Sequence, residues 1–428
     1  VGEGVLKPRF ARVGGELWVE GVRLQAIAEA CGTPLYVYSL GTIRDRYREL
    51  KVALASVPHR LQYSLKANSS RALLCELRAL GAGADVVSGG ELYRALQAGF
   101  PPQQVVFGGV GKTAAELEEG LEARILLFNV ESEGELALLD GIGSLKGVRA
   151  PVGIRVNPQL RVPTPHEYTR TGEPGQKFGF ALEAVGRALH LARSLSHIEL
   201  LALHMHVGSQ VDSLETFAEG VERLLEVCDM ARAAGTESLR YLDIGGGLAV
   251  PYEGEDRVDL VGYADIVAGA ARRSGLEIIV EPGRFLVAEA GVLLTRVLYR
   301  KSSAGRTILV TDAGMTELLR PSHYRAYHHV EPVLARDGAL IGDVVGPVCE
   351  SGDFLALGRS LPEIYPGDIL AVFTAGAYGY TMASNYNSRL RPSEVVVDGD
   401  RYAIATRRER YEDLVRLESP ELDWRVVG

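Results

Sequence analysis

In the stretch "YSLKANSS", residues 63–70, Lys66 directly follows a short apolar run and precedes Asn68, Ser69 and Ser70. A lysine on an open surface does little beyond holding water, but one kept at a strand end inside a pocket can lose its proton and act as an amine nucleophile. Two later stretches supply what such a nucleophile needs. "DIGGG", residues 243–247, brings Gly245, Gly246 and Gly247, which let the backbone approach a ligand closely and whose N–H groups can cradle phosphate oxygens. "EPGR", residues 281–284, adds Glu281, Gly283 and Arg284. An amine nucleophile with a phosphate cradle points to pyridoxal 5'-phosphate, whose aldehyde forms an imine with an amine and whose ring stores electrons.

Other polar residues find roles around such a ring. Glu281 can keep the pyridine nitrogen protonated, His206 in "HMHVGSQ" can lie flat on one ring face, and Ser209 can add a hydroxyl to the phosphate site. Asp85, Ser88, Asn129, Arg155 and Asn157 lie at the ends of other apolar runs and would converge on the same mouth, Asp85 as part of the cofactor-binding set. His204, two residues before His206 and so on the same side of a strand, reads as a packing or supporting residue. Zinc held by both histidines with Glu281 or Asp243 is the alternative. It leaves Lys66 and the triple glycine without a purpose, so no metal is expected.

The elements that position these residues repeat. Short apolar runs at 60–65, 84–88, 104–109, 124–130, 151–158, 200–208, 241–247 and 276–283 are separated by segments with apolar residues every three or four positions, many closed by glycine. None of the runs alternates cleanly, as expected of strands buried on both faces. Eight strand-helix units in a row predict a (β/α)8 barrel, whose chemistry sits at the C-terminal strand ends. Residues 33–290 are assigned to it. After residue 290 the texture becomes β-rich, with "PGD", "DG" and "GD" turns, so 291–428 is expected to form a mostly antiparallel β-sandwich or β-barrel domain, joined by strands from residues 1–32.

Composition sets the class. The 428 residues are 46% hydrophobic and 24% charged, with a net charge of −9, which suits a soluble globular chain and gives no reason to expect nucleic acid or an anionic membrane as partner. Cys31, Cys75, Cys228 and Cys349 show no paired spacing, so neither a zinc knuckle nor a disulfide framework is indicated. With no signal-like apolar run at the amino terminus and no long apolar span, a cytoplasmic location is expected.

Taken in order, "YSLKAN", "HMHVGSQ", "DIGGG", "EPGR", "CESGD" and "GAYGYTMASNYN" resemble the fold-type III pyridoxal-phosphate decarboxylases, most closely those acting on diaminopimelate. The resemblance implies an N-terminal barrel, a C-terminal β domain and a homodimer whose active sites are shared across the interface. It implies Lys66 as the imine-forming lysine, His206 as the ring-stacking histidine, Gly246 within the phosphate loop and Glu281 at the pyridine nitrogen. Arg284 looks like a substrate-carboxylate contact and Tyr378 a cofactor and substrate contact. Cys349 and Glu350 resemble groups given by the neighbouring subunit, the first as proton donor and the second as contact for a distal ammonium. Arg320 and Tyr324 resemble the distal carboxylate site.

Charge then separates substrates. The carboxylate that leaves should not be firmly held by cations, so specificity belongs at the distal end. An ornithine- or arginine-type decarboxylase needs only an anion there. Diaminopimelate needs an anion and a cation, which Glu350 and Arg320 would provide, so the expected reaction is meso-2,6-diaminopimelate to L-lysine and CO2. A racemase would need a second base that "CESGD" does not offer. A non-enzymatic cofactor-binding regulator would be expected to lose the proton donor or a cofactor anchor.

Overall fold

A computed structural model describes residues 9–425 except 162, 163, 165 and 212. All eight expected runs become strands: β1 (His59–Ser64), β2 (Gly83–Val86), β3 (Val105–Phe107), β4 (Leu127–Val130), β5 (Ala150–Val156), β6 (Ile198–Met205), β7 (Tyr241–Asp243) and β8 (Glu277–Val280). They pair in parallel in chain order and β8 closes on β1. Helices cover the outside of the barrel, which is why these strands are buried on both faces and lack an alternating pattern.

The barrel interior is layered. Val106, Leu127, Ala202 and Ile279 form a separate small apolar cluster. One step toward the C-terminal strand ends the interior turns polar: Ser64, Asp85, Asn129, Arg155, His204, Asp243 and Glu281 are all buried there. Strand register produces this layer, because Ser64 pairs Asp85, Arg155 pairs His204, and His204 pairs Asp243.

The second unit is a nine-stranded mixed sheet. Its long strand Gly291–Ser303 pairs antiparallel with Arg306–Thr311, Ile369–Val372 and Leu35–Ser39. Leu35–Ser39 in turn runs parallel to Ser393–Asp398. Here the structure corrects an expectation: the segment from residue 33 opens in this sheet, and only after helix Leu40–Ala53 does the chain enter the barrel. The run "LYVYS" is buried at every position, which suits an interior strand of either sheet. Within residues 9–32, strands Phe10–Val13, Glu16–Val19 and Val22–Arg23 form their own small sheet. It docks on the second unit through Leu17 N–H to Val333 O at 2.9 Å and a shared core of Leu17, Val19, Leu24, Leu35, Val292 and Val395. Residues 1–8 of the expected N-terminal contribution lie outside the described residues. Among the described residues no helix is long and apolar enough to cross a membrane.

The two units meet at the barrel mouth. Asn68 donates to Gly376 O at 3.0 Å, and Tyr378 N–H donates to Ala67 O at 2.8 Å, so the loop after Ile369–Val372 lies beside Lys66. Gly376 permits this approach: a Cβ there would stand 1.9 Å from Val287 O.

Candidate active site

A cavity of about 1320 Å³ opens at the mouth and is lined by Lys66, Arg155, His206, Ser209, Gly247, Glu281, Gly283, Arg284, Arg320, Tyr324 and Tyr378, from both units. Lys66 follows β1 in a short 3₁₀ turn, with Nζ 3.4 Å from Asp85 Oδ2. Ser64 also donates to that oxygen, at 2.7 Å. Burial pulls the Lys66 ammonium down, but Asp85, Tyr378 and Glu281 outweigh it and hold its pKa above the ordinary value. The amine expected to shed its proton is therefore charged in the chain's own field, because buried carboxylates face it. Asp85 is itself pushed upward, by burial first and by Glu281 second.

His206 is held neutral. Burial, with Lys66 and Arg155 nearby, lowers its pKa well below the usual histidine range. Its Nδ1 accepts the Gly246 N–H at 3.1 Å, which places the ring proton on Nε2. The glycine loop has no room for side chains: a Cβ on Gly246 would lie 2.1 Å from Glu281 O, and one on Gly247 2.2 Å from Gly208 O. Gly245 adopts φ +69°, a left-handed conformation suited to glycine. Asp243, at the loop's start, accepts from Gly245 N–H at 3.0 Å.

On the opposite wall Arg284 donates to Ser209 Oγ at 2.9 Å and to the Tyr252 hydroxyl at 2.6 Å, and its guanidinium lies 4.8 Å from the Tyr378 ring centre. Tyr378 has φ +56°, a strained conformation for tyrosine that fixes its ring at the mouth. Arg320 is buried, its guanidinium 4.9 Å from the Tyr252 ring, with no carboxylate partner among the described residues. Tyr324 stands beside it on the same short helix, Arg320–Tyr324, in edge contact with His166 and His323.

Tyr252, which supports both arginines, escaped sequence reasoning; nothing in "VPYEGED" marks it apart from its nearness to "DIGGG". The Arg155–Glu131 pair, 2.7 Å and buried, was half visible: Arg155 was placed at a strand end, but its partner comes from the loop after β4.

Two candidates do not join the cavity of their own chain. Cys349 and Glu350 are both exposed, on a turn braced by buried Asp353, whose carboxylate accepts from Met315 and Val348 N–H at 2.6 Å each. Within the barrel, His204, Asp243 and Glu281 gather with ligand atoms within 4.8 Å of one another, whereas His206 stays with the glycine loop. Asp243 has both oxygens engaged, by Gly245 and by the Asn129 amide at 3.0 Å. Buried Glu281 Oε1 and Arg284 Nε have no hydrogen-bond partner. Near a primary amine, they suit a cofactor with a ring nitrogen, an aldehyde and a phosphate.

The family model described as "Pyridoxal-dependent decarboxylase, pyridoxal binding domain" matches residues 40–288, starting where strand Leu35–Ser39 ends. The chain is 44% identical to a diaminopimelate decarboxylase of Pseudomonas aeruginosa, covering 96% of this chain and 98% of that protein. It is 41% identical to one of Aquifex aeolicus, covering 96% of each. Among solved structures it resembles diaminopimelate decarboxylase from Helicobacter pylori complexed with L-lysine, with a TM-score of 0.89, 39% identity, and coverage of 92% of this chain and 98% of that one.

Proposed function

The chain belongs to the pyridoxal-dependent decarboxylases, in the diaminopimelate decarboxylase family, and from that premise we propose that it converts meso-2,6-diaminopimelate to L-lysine and CO2. The observation that carries the substrate assignment is Arg320, a buried cation without a carboxylate partner among the described residues, on the wall of the cavity that also contains Lys66. A distal carboxylate supplies the missing counter-ion, and an arginine recognises it directionally. The ornithine- or arginine-type alternative leaves this charge unused.

Pyridoxal phosphate, when bound, supplies the electron sink for the pair released as CO2 leaves. The chain does the rest. Lys66 holds the cofactor, and Asp85, 3.4 Å from Nζ, is placed to take the proton that the amine must release. Glu281, on the cavity border, keeps a proton at the ring nitrogen. His206, neutral, covers one ring face. Gly245, Gly246, Gly247, Gly283, Ser209 and Arg284 form the phosphate side, with Tyr378 across from Arg284. Arg320 and Tyr324 bind the distal carboxylate.

Cys349 and Glu350 serve the site of a second copy of the chain, the cysteine as proton donor and the glutamate as distal-ammonium contact. Their exposure, outside the cavity that Lys66 lines, supports this. So does the need for an acid on the face that His206 leaves open. Four unpaired cysteines suit a reducing cytoplasm, where the enzyme is placed.

Purified protein supplied with cofactor should release CO2 and L-lysine from meso-diaminopimelate and leave ornithine nearly untouched; preference for ornithine would reverse the assignment. Mixing inactive Lys66→Ala and Cys349→Ala dimers should, after subunit exchange, restore up to roughly a quarter of wild-type activity, because half of the dimers are then mixed and carry one intact site of two. No recovery despite proven exchange would place both groups in one chain.

A further inference from the structure

Below the cavity mouth three buried titratable side chains meet: His204 on β6, Asp243 on β7 and Glu281 just past β8. Register brings them together. His204 pairs Asp243, and Asp243 pairs Ile279, two residues before Glu281, so all three face the barrel interior. Resting on the reading of Glu281 as the ring-nitrogen partner, we propose that His204 and Asp243 are positioning residues that hold the Glu281 carboxylate ionised and turned toward that nitrogen.

The three groups are not engaged alike. Asp243 is fixed from below by Gly245 N–H on Oδ1 and the Asn129 amide on Oδ2, each at 3.0 Å, and among the described residues no lysine or arginine pairs with it. Glu281 Oε2 lies 3.5 Å from His204 Nε2, while Oε1 is without a partner and the residue borders the cavity. Neither His204 nitrogen has a hydrogen-bond partner among the described residues. Two carboxyls this close and this buried cannot both be ionised.

The charge settles on Glu281, which has His204 beside it and the cations Lys66 and Arg155 around the same mouth. Burial pushes Glu281 up, yet His204 first and Lys66 with it outweigh that and hold it well below the carboxylate range. Asp243 is pushed far above that range, by burial first and by the charge on Glu281 second. A protonated Asp243 is then a hydrogen-bond donor to Glu281, and His204 Nε2 faces the same carboxylate across 3.5 Å. With these two groups against it, the Glu281 carboxylate is held ionised at the border of the cavity.

The test is titration of the apoprotein with pyridoxal phosphate, reading dissociation constant, visible absorbance and apoprotein melting temperature. His204→Leu and Asp243→Leu are expected to weaken cofactor binding about tenfold or more and to diminish the visible band that depends on a protonated ring nitrogen. His204→Gln and Asp243→Asn keep a neutral N–H donor and are expected to bind within about threefold of wild type with the band restored. In Asp243→Asn the second N–H is accommodated when the Asn129 amide, which donates to Asp243 in the wild type, turns over to present Oδ1, buried and unpartnered among the described residues. Leucine variants with wild-type affinity and spectrum would overturn the proposal. So would amide variants as weak as the leucine variants while their apoproteins melt normally, since Asp243 would then be needed as an anion. If a leucine variant fails to fold, its amide counterpart decides. Failure of the wild type to take up cofactor would instead overturn the reading of Glu281, and the inference with it.

Discussion

Exchange of Lys66 for alanine is expected to lower kcat/KM about a thousandfold or more, equivalent to roughly 4 kcal/mol of transition-state stabilisation. The loss is large because nothing replaces the amine. Lys112, also near the strand ends, is fully buried and spends its ammonium on Gly109 O and Asn129 O, each at 2.8 Å, and on Glu135 at 2.6 Å. The fold should survive, since the Lys66 side chain is 38% exposed and its partner Asp85 keeps the Ser64 hydroxyl. Wild-type protein should be yellow, lose that colour on borohydride reduction, and carry the resulting cofactor adduct on Lys66; Lys66→Ala should be unlabelled and melt near the wild-type temperature. An adduct on another lysine, or wild-type turnover by the variant, would refute the role.

Arg320→Ala is expected to lower kcat/KM for meso-diaminopimelate roughly 30-fold or more, since about 2 kcal/mol or more rests on a buried charge pair made with the substrate. Burial pulls the Arg320 guanidinium below its ordinary pKa, yet an arginine remains charged at neutral pH. That uncompensated charge burdens the unliganded protein and favours an incoming carboxylate. Arg284 keeps Tyr252 and Ser209 in the variant, so the cofactor spectrum should not change. The effect on a substrate lacking the distal carboxylate should be small. Equal damage to both substrates would show that Arg320 supports the site generally, and the ornithine- or arginine-type reading would gain.

Legibility differed between the two units. Every barrel strand fell on an apolar run read from the chain, because a strand buried on both faces must be apolar nearly throughout and the intervening helices have their own period. The same property misled at "LYVYS". Complete burial identifies an interior strand but not its sheet, and Leu35–Ser39 pairs with strands more than 250 residues later in the chain. Arg284 was visible in "EPGR", whereas Tyr252, which holds it, was not. A tyrosine that orients an arginine through one hydrogen bond and a ring face requires no spacing along the chain, only proximity after folding.

By itself the sequence determined the chemistry on offer: a lysine at a strand end, three consecutive glycines after the seventh run, an acid at the end of the eighth, and an arginine in an acidic chain. Local rules suffice for these, since strand ends, turns and side-chain identity are properties of short segments. Tertiary structure alone decided their charge states and partners. Lys66 is held as an ammonium because Asp85 comes from the neighbouring strand, His206 is neutral because it is buried beside Lys66 and Arg155, and Glu281 is ionised because His204 stands 3.5 Å from it while Asp243 is pushed toward its protonated form. A pKa depends on distance and burial, which exist only once separate segments are packed into one interior.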